Sequence, residues 1–449
     1  MERLLEGRWF HVILMAVIAA SVIAVYSNTF HSAFQFDDTP SIAQNPRIKD
    51  LGNLSGILKS RRGVTELTFA LNYAAGGLDT FGYHAVNAAI HVLASIAAYF
   101  LVAGALRLSG GTAAWSRFVA AFSALLFAVH PVQTQAVTYI SQRMESLSSL
   151  FYLLALLVFI KAVEAKSVAA RYGLYACVAA AYAAGFYSKE IVFTLPAAIL
   201  LFDIYFVSRG RIKEALGRWP LYAALFALFI FFGVKTVAPL SGFGDLSIES
   251  AETSAPARPR AAPGGAAIAA ASHIAGAVDN ARPVAQRPGA FESAGFNVAD
   301  ITPKEYLYTQ FNVLVYYLVL LAVPVNQNLD YDFPVARSLF GAPRVNEGAA
   351  LNMPMMPPAV SLAMLLAAGG AGVWLFVRSR RRPGPRGLAV SFFIFWFFII
   401  LSPTSSFIPI VDVIFEHRVY LASLGFFVIL VIFIDWITCL AFGAGAKNP

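Results

Sequence analysis

Charge is scarce in this chain: of 449 residues only 13% are Asp, Glu, Lys or Arg, whereas 58% are apolar and the mean hydropathy is +0.66. A water-soluble domain carries about 25% charged residues, so too few are present to cover a solvent-facing surface, and a soluble enzyme is excluded. Cysteine is scarcer still. Cys177 and Cys439 both sit inside apolar runs, which excludes a disulfide framework and a cysteine zinc site. The apolar runs show no period-two alternation, which excludes an outer-membrane barrel, and no internal repeat is visible. Residues 253–290 are nearly all Ala, Pro, Gly and small polar residues; lacking large apolar side chains, they have nothing from which to build a core and read as a flexible loop.

What is present is a set of long apolar runs, near residues 9–27, 83–106, 117–130, 146–162, 171–187, 191–207, 219–238, 306–323, 358–377, 388–403 and 419–442. Many approach the ~20 residues that cross a bilayer core, so the chain reads as an all-α polytopic membrane protein of about 10–11 transmembrane helices. The first run has no small-residue cleavage pattern after it and is expected to be an uncleaved span. Arg107 and Arg117, then Lys161, Lys166 and Arg171, then Arg209, Arg211, Lys213 and Arg218 fall between alternate runs, which marks those loops as cytoplasmic. The basic run at 378–387 keeps this parity only if one segment fails to cross. Residues 304–323, whose first half carries Tyr, Thr, Gln and Asn, are expected to form an interfacial or re-entrant helix, leaving ten crossings with both termini cytoplasmic. The chain then divides into a catalytic module at 1–240 with an outer loop at 28–82, the Ala/Pro-rich outer loop at 241–303, and a C-terminal module at 304–449. The net charge of 33 − 25 = +8 is a topology signal, with no indication of nucleic acid.

The sharpest local signal lies in FQFDDTPSIAQNP, where adjacent Asp37 and Asp38 follow the first span. Two carboxylates in a partly dry setting suit a base; Asp-x-Pro stretches also form ordinary turns. His84, Asn87 and His91 share one face of the second run, where packing is the default use and a metal site would need a further ligand such as His130. Arg143 with Glu145, Lys189 with Glu190, and Glu416, His417 and Arg418 occupy span ends on the same outer face. Each set reads alone as an interfacial ion pair. Together with Asp37 and Asp38, the cations suit a lipid phosphate beside a base.

Six ordered blocks carry a resemblance: FDDTPSIAQNP; LTFALNYAAGGLDTFGYHAVNAAIHVL; FAVHPVQTQAVTYISQRMESLSSLFYLLALLVF; YSKEIVFTLPAAILLFD; YLYTQF with NQNLDYDFP; and SPTSSFIPIVDVIFEHRVYLASLGF. They resemble the membrane part of the transmembrane and tetratricopeptide-repeat O-mannosyltransferases and their bacterial relatives, of the GT-C superfamily. The resemblance implies a GT-C-like helical bundle with interfacial helices on its outer side. It also implies inverting transfer of a hexose such as mannose from a polyprenyl-phosphate carrier, with Asp37 as base and Asp38 beside it. By position, Arg143, Lys189 and Arg418 become candidates for the carrier phosphate, with Glu416 and His417 near the site and His84, His91, His130, Glu145 and Glu190 lining a cavity. No cofactor is called for, and a divalent metal requirement stays open.

Two departures stand out. No tetratricopeptide repeats follow the last block, so acceptor recognition by such repeats is expected to be absent or supplied by a partner protein, and RRGVTELTF lacks the proline expected after the arginine. The expected protein is an enzyme of the cytoplasmic membrane acting on its extracytoplasmic face, with protein Ser/Thr as acceptor or, alternatively, a lipid-linked glycan. A flippase for lipid-linked substrates and a noncatalytic assembly subunit are the rival classes.

Overall fold

The computed structural model describes residues 5, 7, 9–237, 301–346 and 351–442. The Ala/Pro-rich segment lies almost wholly outside them. Among the described residues the fold is all-α, with no strand, and twelve helices have eight or more residues. They are α1 (Phe10–Tyr26), α2 (Gly63–Gly76), α3 (Thr80–Leu108), α4 (Ala113–Val129), α5 (Arg143–Glu164), α6 (Val168–Phe186), α7 (Leu195–Phe202), α8 (Trp219–Val237), α9 (Pro303–Ala322), α10 (Pro358–Arg381), α11 (Pro385–Leu401) and α12 (Ser423–Ala441). Each of the eleven apolar runs coincides with a helix.

Seven helical stretches are long and apolar enough to cross a membrane, or eight if α4 and the short helical segment bent 53° from it are one span. This is a multi-pass integral membrane protein. The count is below the ten crossings expected from sequence because α4 qualifies only together with its bent extension, α11 has only 17 residues, and α6 is diluted by Tyr, Gly and Arg171; α9, which was not counted among the ten, also falls outside the criteria.

α3 sits at the centre, packed on α1, α4 and α5. At about 1.5 Å per residue, its 29 residues are among the longest unbroken stretches in the bundle. Asp79 caps its start by accepting from the Phe81 N–H at 3.1 Å, and its buried face is built largely from alanine, including Ala88, Ala94, Ala97, Ala98 and Ala105. In a bilayer, lipid tails compete for apolar surface, so such small residues favour helix contact by permitting close backbone approach. The main core runs through both halves of the chain, from Leu14 to Ile432.

α4 stops where Pro131 requires it. His130 takes the extended conformation favoured before proline (φ −68°, ψ 133°), and the chain then bends into a short turn and the helix Thr134–Thr138. As a result, residues 130–142 fold across one end of the bundle.

The 28–82 loop folds over that same end as a cap with its own small core of Ile42, Ile48, Ile57, Phe69, Tyr83 and Ile140. α2 docks on the α6–α7 connection: the Val64 N–H donates to the Tyr187 carbonyl at 3.2 Å and the Thr65 hydroxyl to the Ser188 carbonyl at 3.3 Å. At Gly63, where the sequence comparison anticipates proline, a Cβ would lie 2.7 Å from the Leu58 carbonyl oxygen. The close approach of that backbone selects glycine.

α9 has a complete capping box, Thr302 with Glu305, and Pro303 at its first position. Its polar face is buried against irregular chain. Gln310 donates to the Val413 carbonyl at 2.8 Å, Tyr317 to the Phe415 carbonyl at 2.8 Å, and Tyr306 to the Thr404 carbonyl at 2.6 Å. Consistent with the expectation that this segment does not cross, it is not among the stretches long and apolar enough to span, and its Gln and Tyr side chains supply hydrogen bonds to a loop that would otherwise bury bare carbonyls.

Candidate active site

The acidic pair sits in a tight turn entered through Phe36, whose φ of 37° is rarely adopted by a bulky side chain. The two carboxylates have different surroundings. Asp38 is 1% exposed, and its oxygens accept from the Ser141 N–H at 2.6 Å and the Gln35 N–H at 3.0 Å. Burial pushes its carboxyl up, with those two N–H donors acting against the shift. Asp37 is exposed, and its backbone N–H donates to the Tyr139 hydroxyl at 2.7 Å. Thus Asp38 ties the turn to the 130–142 segment while the Asp37 carboxylate faces outward.

Beside this turn lies a cavity of about 400 Å³ lined by Asp38, Glu416, Gln35, Gln135, Gln327, Asn328, Tyr139 and several hydroxyl residues. Glu416 is buried. Its carboxylate accepts from the Tyr331 hydroxyl at 2.5 Å, the Asn328 N–H at 2.9 Å and the Gln327 amide at 2.7 Å. Burial raises its carboxyl above the usual range, opposed by these three bonds. Its structural effect is to fasten residues 327–331 to the rim of the cavity.

The cations differ in how open they are. Arg143 is 0% exposed and donates to Asn87 Oδ1 at 2.6 Å, Asn72 Oδ1 at 2.6 Å, Thr68 Oγ1 at 3.2 Å and the Tyr83 carbonyl at 2.9 Å, with Phe69 4.6 Å away on one face. A guanidinium enclosed in this way has no side open to a lipid phosphate. In place of the ligand anticipated from sequence, the geometry gives a fastening that joins α2, α3 and α5.

Lys189 is 14% exposed at its side chain and pairs with Glu145 at 2.8 Å, with Gln142 Oε1 at 3.2 Å. Burial lowers its ammonium, chiefly against Glu145. Glu190 pairs with Arg61 at 2.7 Å and Arg62 at 3.5 Å, two cap residues that the sequence reading did not single out although they stand in RRGVTELTF. Arg418 donates to the Asp412 carbonyl at 2.8 Å and the Val413 carbonyl at 3.3 Å. His417 donates to Gln135 Oε1 from both its backbone N–H, at 2.7 Å, and its ring Nδ1, at 3.0 Å. Burial holds its imidazole well below the usual value, helped by the charges of Lys189, Arg418 and Arg62. Three cations distant in sequence therefore converge on one histidine. Asp412, raised by burial, feels Asp330 and Asp37 as electrostatic neighbours.

The histidine stripe on α3 serves packing. His91 bonds the Tyr420 hydroxyl at 2.7 Å and the Ala128 carbonyl at 3.0 Å, and His84 Nε2 lies 3.2 Å from the Ser32 carbonyl. His130 accepts from the Val132 N–H at 3.2 Å. Among the described residues no three His, Cys, Asp or Glu side chains converge as a metal site. The neutral wall residues Gln135, Gln327, Asn328 and Tyr331 escaped the sequence reading; their signal was confined to two of the quoted blocks.

A helical bundle with an acidic turn, a polar cavity and converging cations at one end is, by sequence, distantly homologous to membrane protein O-mannosyl-transferases. The protein O-mannosyl-transferase TMTC2 of Homo sapiens is 32% identical over 216 residues, 44% of this chain and 25% of its own length. Tmtc3 of Drosophila melanogaster is 28% identical over 246 residues, 48% of this chain and 26% of its own, and TMTC3 of Mus musculus 33% over 175 residues, 35% and 18%. The chain thus spans about a quarter of these relatives' length or less. No family model and no solved structure matches it.

Proposed function

We propose that this protein is a glycosyltransferase of the extracytoplasmic face of the cytoplasmic membrane. It moves a hexose, with mannose the leading candidate, from a polyprenyl-phosphate carrier to a Ser or Thr hydroxyl of a protein acceptor. The observation that carries the reading is the split acidic turn. Asp38 is held by two backbone N–H groups, while Asp37, one residue away, presents an exposed carboxylate beside a polar cavity.

In the reaction, Asp37 takes the proton of the acceptor hydroxyl as its oxygen attacks the anomeric carbon from the face opposite the phosphate. The bond from that carbon to the phosphate oxygen breaks, its electron pair stays on the phosphate, and the sugar inverts. The carrier phosphate gains negative charge in this step, which nearby cations stabilise. Lys189, Arg418, Arg62 and Arg61 are the candidates, and Arg143 positions the cap that carries Arg61 and Arg62. Glu416 and His417 brace the cavity wall.

The test uses purified protein in liposomes with radiolabelled carrier and an acceptor peptide. Asp37→Asn is expected to lower transfer about 10²- to 10⁴-fold while the thermal midpoint holds, whereas Asp38→Asn lowers both because it disturbs the turn. Full activity in folded Asp37→Asn protein refutes the base assignment. Movement of carrier across the bilayer without release of carrier phosphate favours a flippase.

A further inference from the structure

We propose that the cavity between Asp38 and Glu416 is the subsite for the sugar ring of the donor, and that residues 327 and 328 with Gln35 are its specificity-determining contacts. This rests on the glycosyltransferase reading and adds where the donor's uncharged part lies. The lining supplies the first argument. It holds two carboxylates, four side-chain amides and a set of hydroxyls, with only Ala33 and Leu329 apolar and no Lys, Arg or His. A phosphate finds no counter-charge in such a wall. A ring of hydroxyls, each able to donate and accept, matches amides and carboxylates. At about 400 Å³ the space is near the small end of the ~300–1,000 Å³ range of ligand sites, which suits one ring.

The second argument is how the wall is held. Gln135 is saturated by structural bonds: its Nε2 donates to the Leu329 carbonyl at 3.1 Å while its Oε1 takes the His417 N–H. Glu416 fixes the backbone of Asn328 and the amide nitrogen of Gln327. With those braces in place, Gln327 Oε1, Asn328 Nδ2 and the Gln35 side-chain amide make no bond to another described residue. Polar atoms that line a cavity and have no partner among the described residues are available to the hydroxyls of a ring. Asp38 lines the cavity and Asp37 precedes it in the same turn, so a ring bound here lies beside the base.

The experiment compares binding of two carriers, polyprenyl phosphate with and without its hexose, to wild-type protein and to Gln35→Ala, Asn328→Ala and the double variant in detergent. The Asn328 backbone clamp to Glu416 survives either substitution. We expect the double variant to bind the hexosyl carrier about tenfold more weakly and the bare carrier as wild type does, with altered discrimination between hexose epimers. Equal loss for both carriers, or no loss for either, overturns the sugar assignment while leaving the glycosyltransferase reading in place. An unchanged donor affinity with a raised KM for the acceptor peptide also overturns it, in favour of an acceptor site. Failure of wild-type protein to bind either carrier overturns both.

Discussion

The span Glu190–Val207 has a charge cluster at each end, and the two are built differently. At its far end Asp203 is fully buried and meets Arg218 twice, at 2.6 and 2.5 Å, along with the Ser208 hydroxyl at 2.6 Å and the Tyr222 hydroxyl. Opposite charges there cancel in contact. At the cap end, Asp38 and Glu416 are held by backbone N–H groups, an amide and a phenol, and Arg143 and Arg418 by carbonyls, amide oxygens and a hydroxyl. These four groups are solvated by neutral dipoles, although Lys189 with Glu145 and Glu190 with Arg61 and Arg62 pair directly beside them. Burial of unpaired charge is expensive, so neutral dipoles that stabilise it without cancelling it leave a field that an incoming phosphate or hydroxyl can feel. The first arrangement suits holding helices together, the second suits chemistry.

Asp203→Ala should give the largest stability change, because it leaves the half-buried Arg218 and the Tyr222 and Ser208 hydroxyls without their common partner. A loss of about 3–5 kcal/mol is expected, read as a lower thermal midpoint in detergent, with transfer by the surviving folded fraction unaltered. A loss of activity per folded molecule instead would erase the functional distinction between the two ends. His417 gives an intermediate effect with a definite sign. Its folded-state imidazole lies well below the ordinary 6.5, so below that pH the unfolded chain binds a proton that the folded chain refuses. Stability should therefore fall as pH drops below about 6.5, by up to about 1.4 kcal/mol per pH unit, and His417→Gln should flatten that limb of a midpoint-versus-pH curve. An unchanged curve would place His417 outside the cation cluster's field. The smallest change is expected from Arg47→Ala, which breaks an exposed 3.1 Å pair with Glu66 at the cap surface. Less than about 1 kcal/mol should be lost, and a midpoint shift of the size found for Asp203→Ala would show that pairing at the cap is as structural as at the far end.

The positions of the helices were legible because each apolar run is a local property, and Pro131 announced its own break. The default packing reading of His84, Asn87 and His91 also matches their partners. Within the site, the acidic pair was visible but its division was not, since Asp38 is defined by the Ser141 N–H, 103 residues away. Arg143 looked like a ligand because a lone cation at a span end is ambiguous until Asn72, Asn87 and the Tyr83 carbonyl close around it. Gln135, Gln327 and Asn328 carry no charge, no periodicity and no motif chemistry of their own. Their role comes from where residues 130–142 and 327–331 meet, which local sequence does not specify. The use of the polar half of α9 was hidden for a related reason: the partners that make Gln310 and Tyr317 suitable for burial lie near residue 413.

The early end of α4 also bears on the lipid around the protein. Seventeen residues reach about 26 Å at 1.5 Å per residue, short of the ~30 Å hydrocarbon core. In the proposed orientation, the polar turn at His130 begins below the level of the surrounding headgroups, and the bilayer beside the exposed Phe122 face must thin or dimple to meet it. Such a depression lowers the climb for a lipid-borne headgroup moving toward the cap, so membrane thickness becomes a variable in carrier delivery: thicker bilayers should slow it without altering a single side-chain contact.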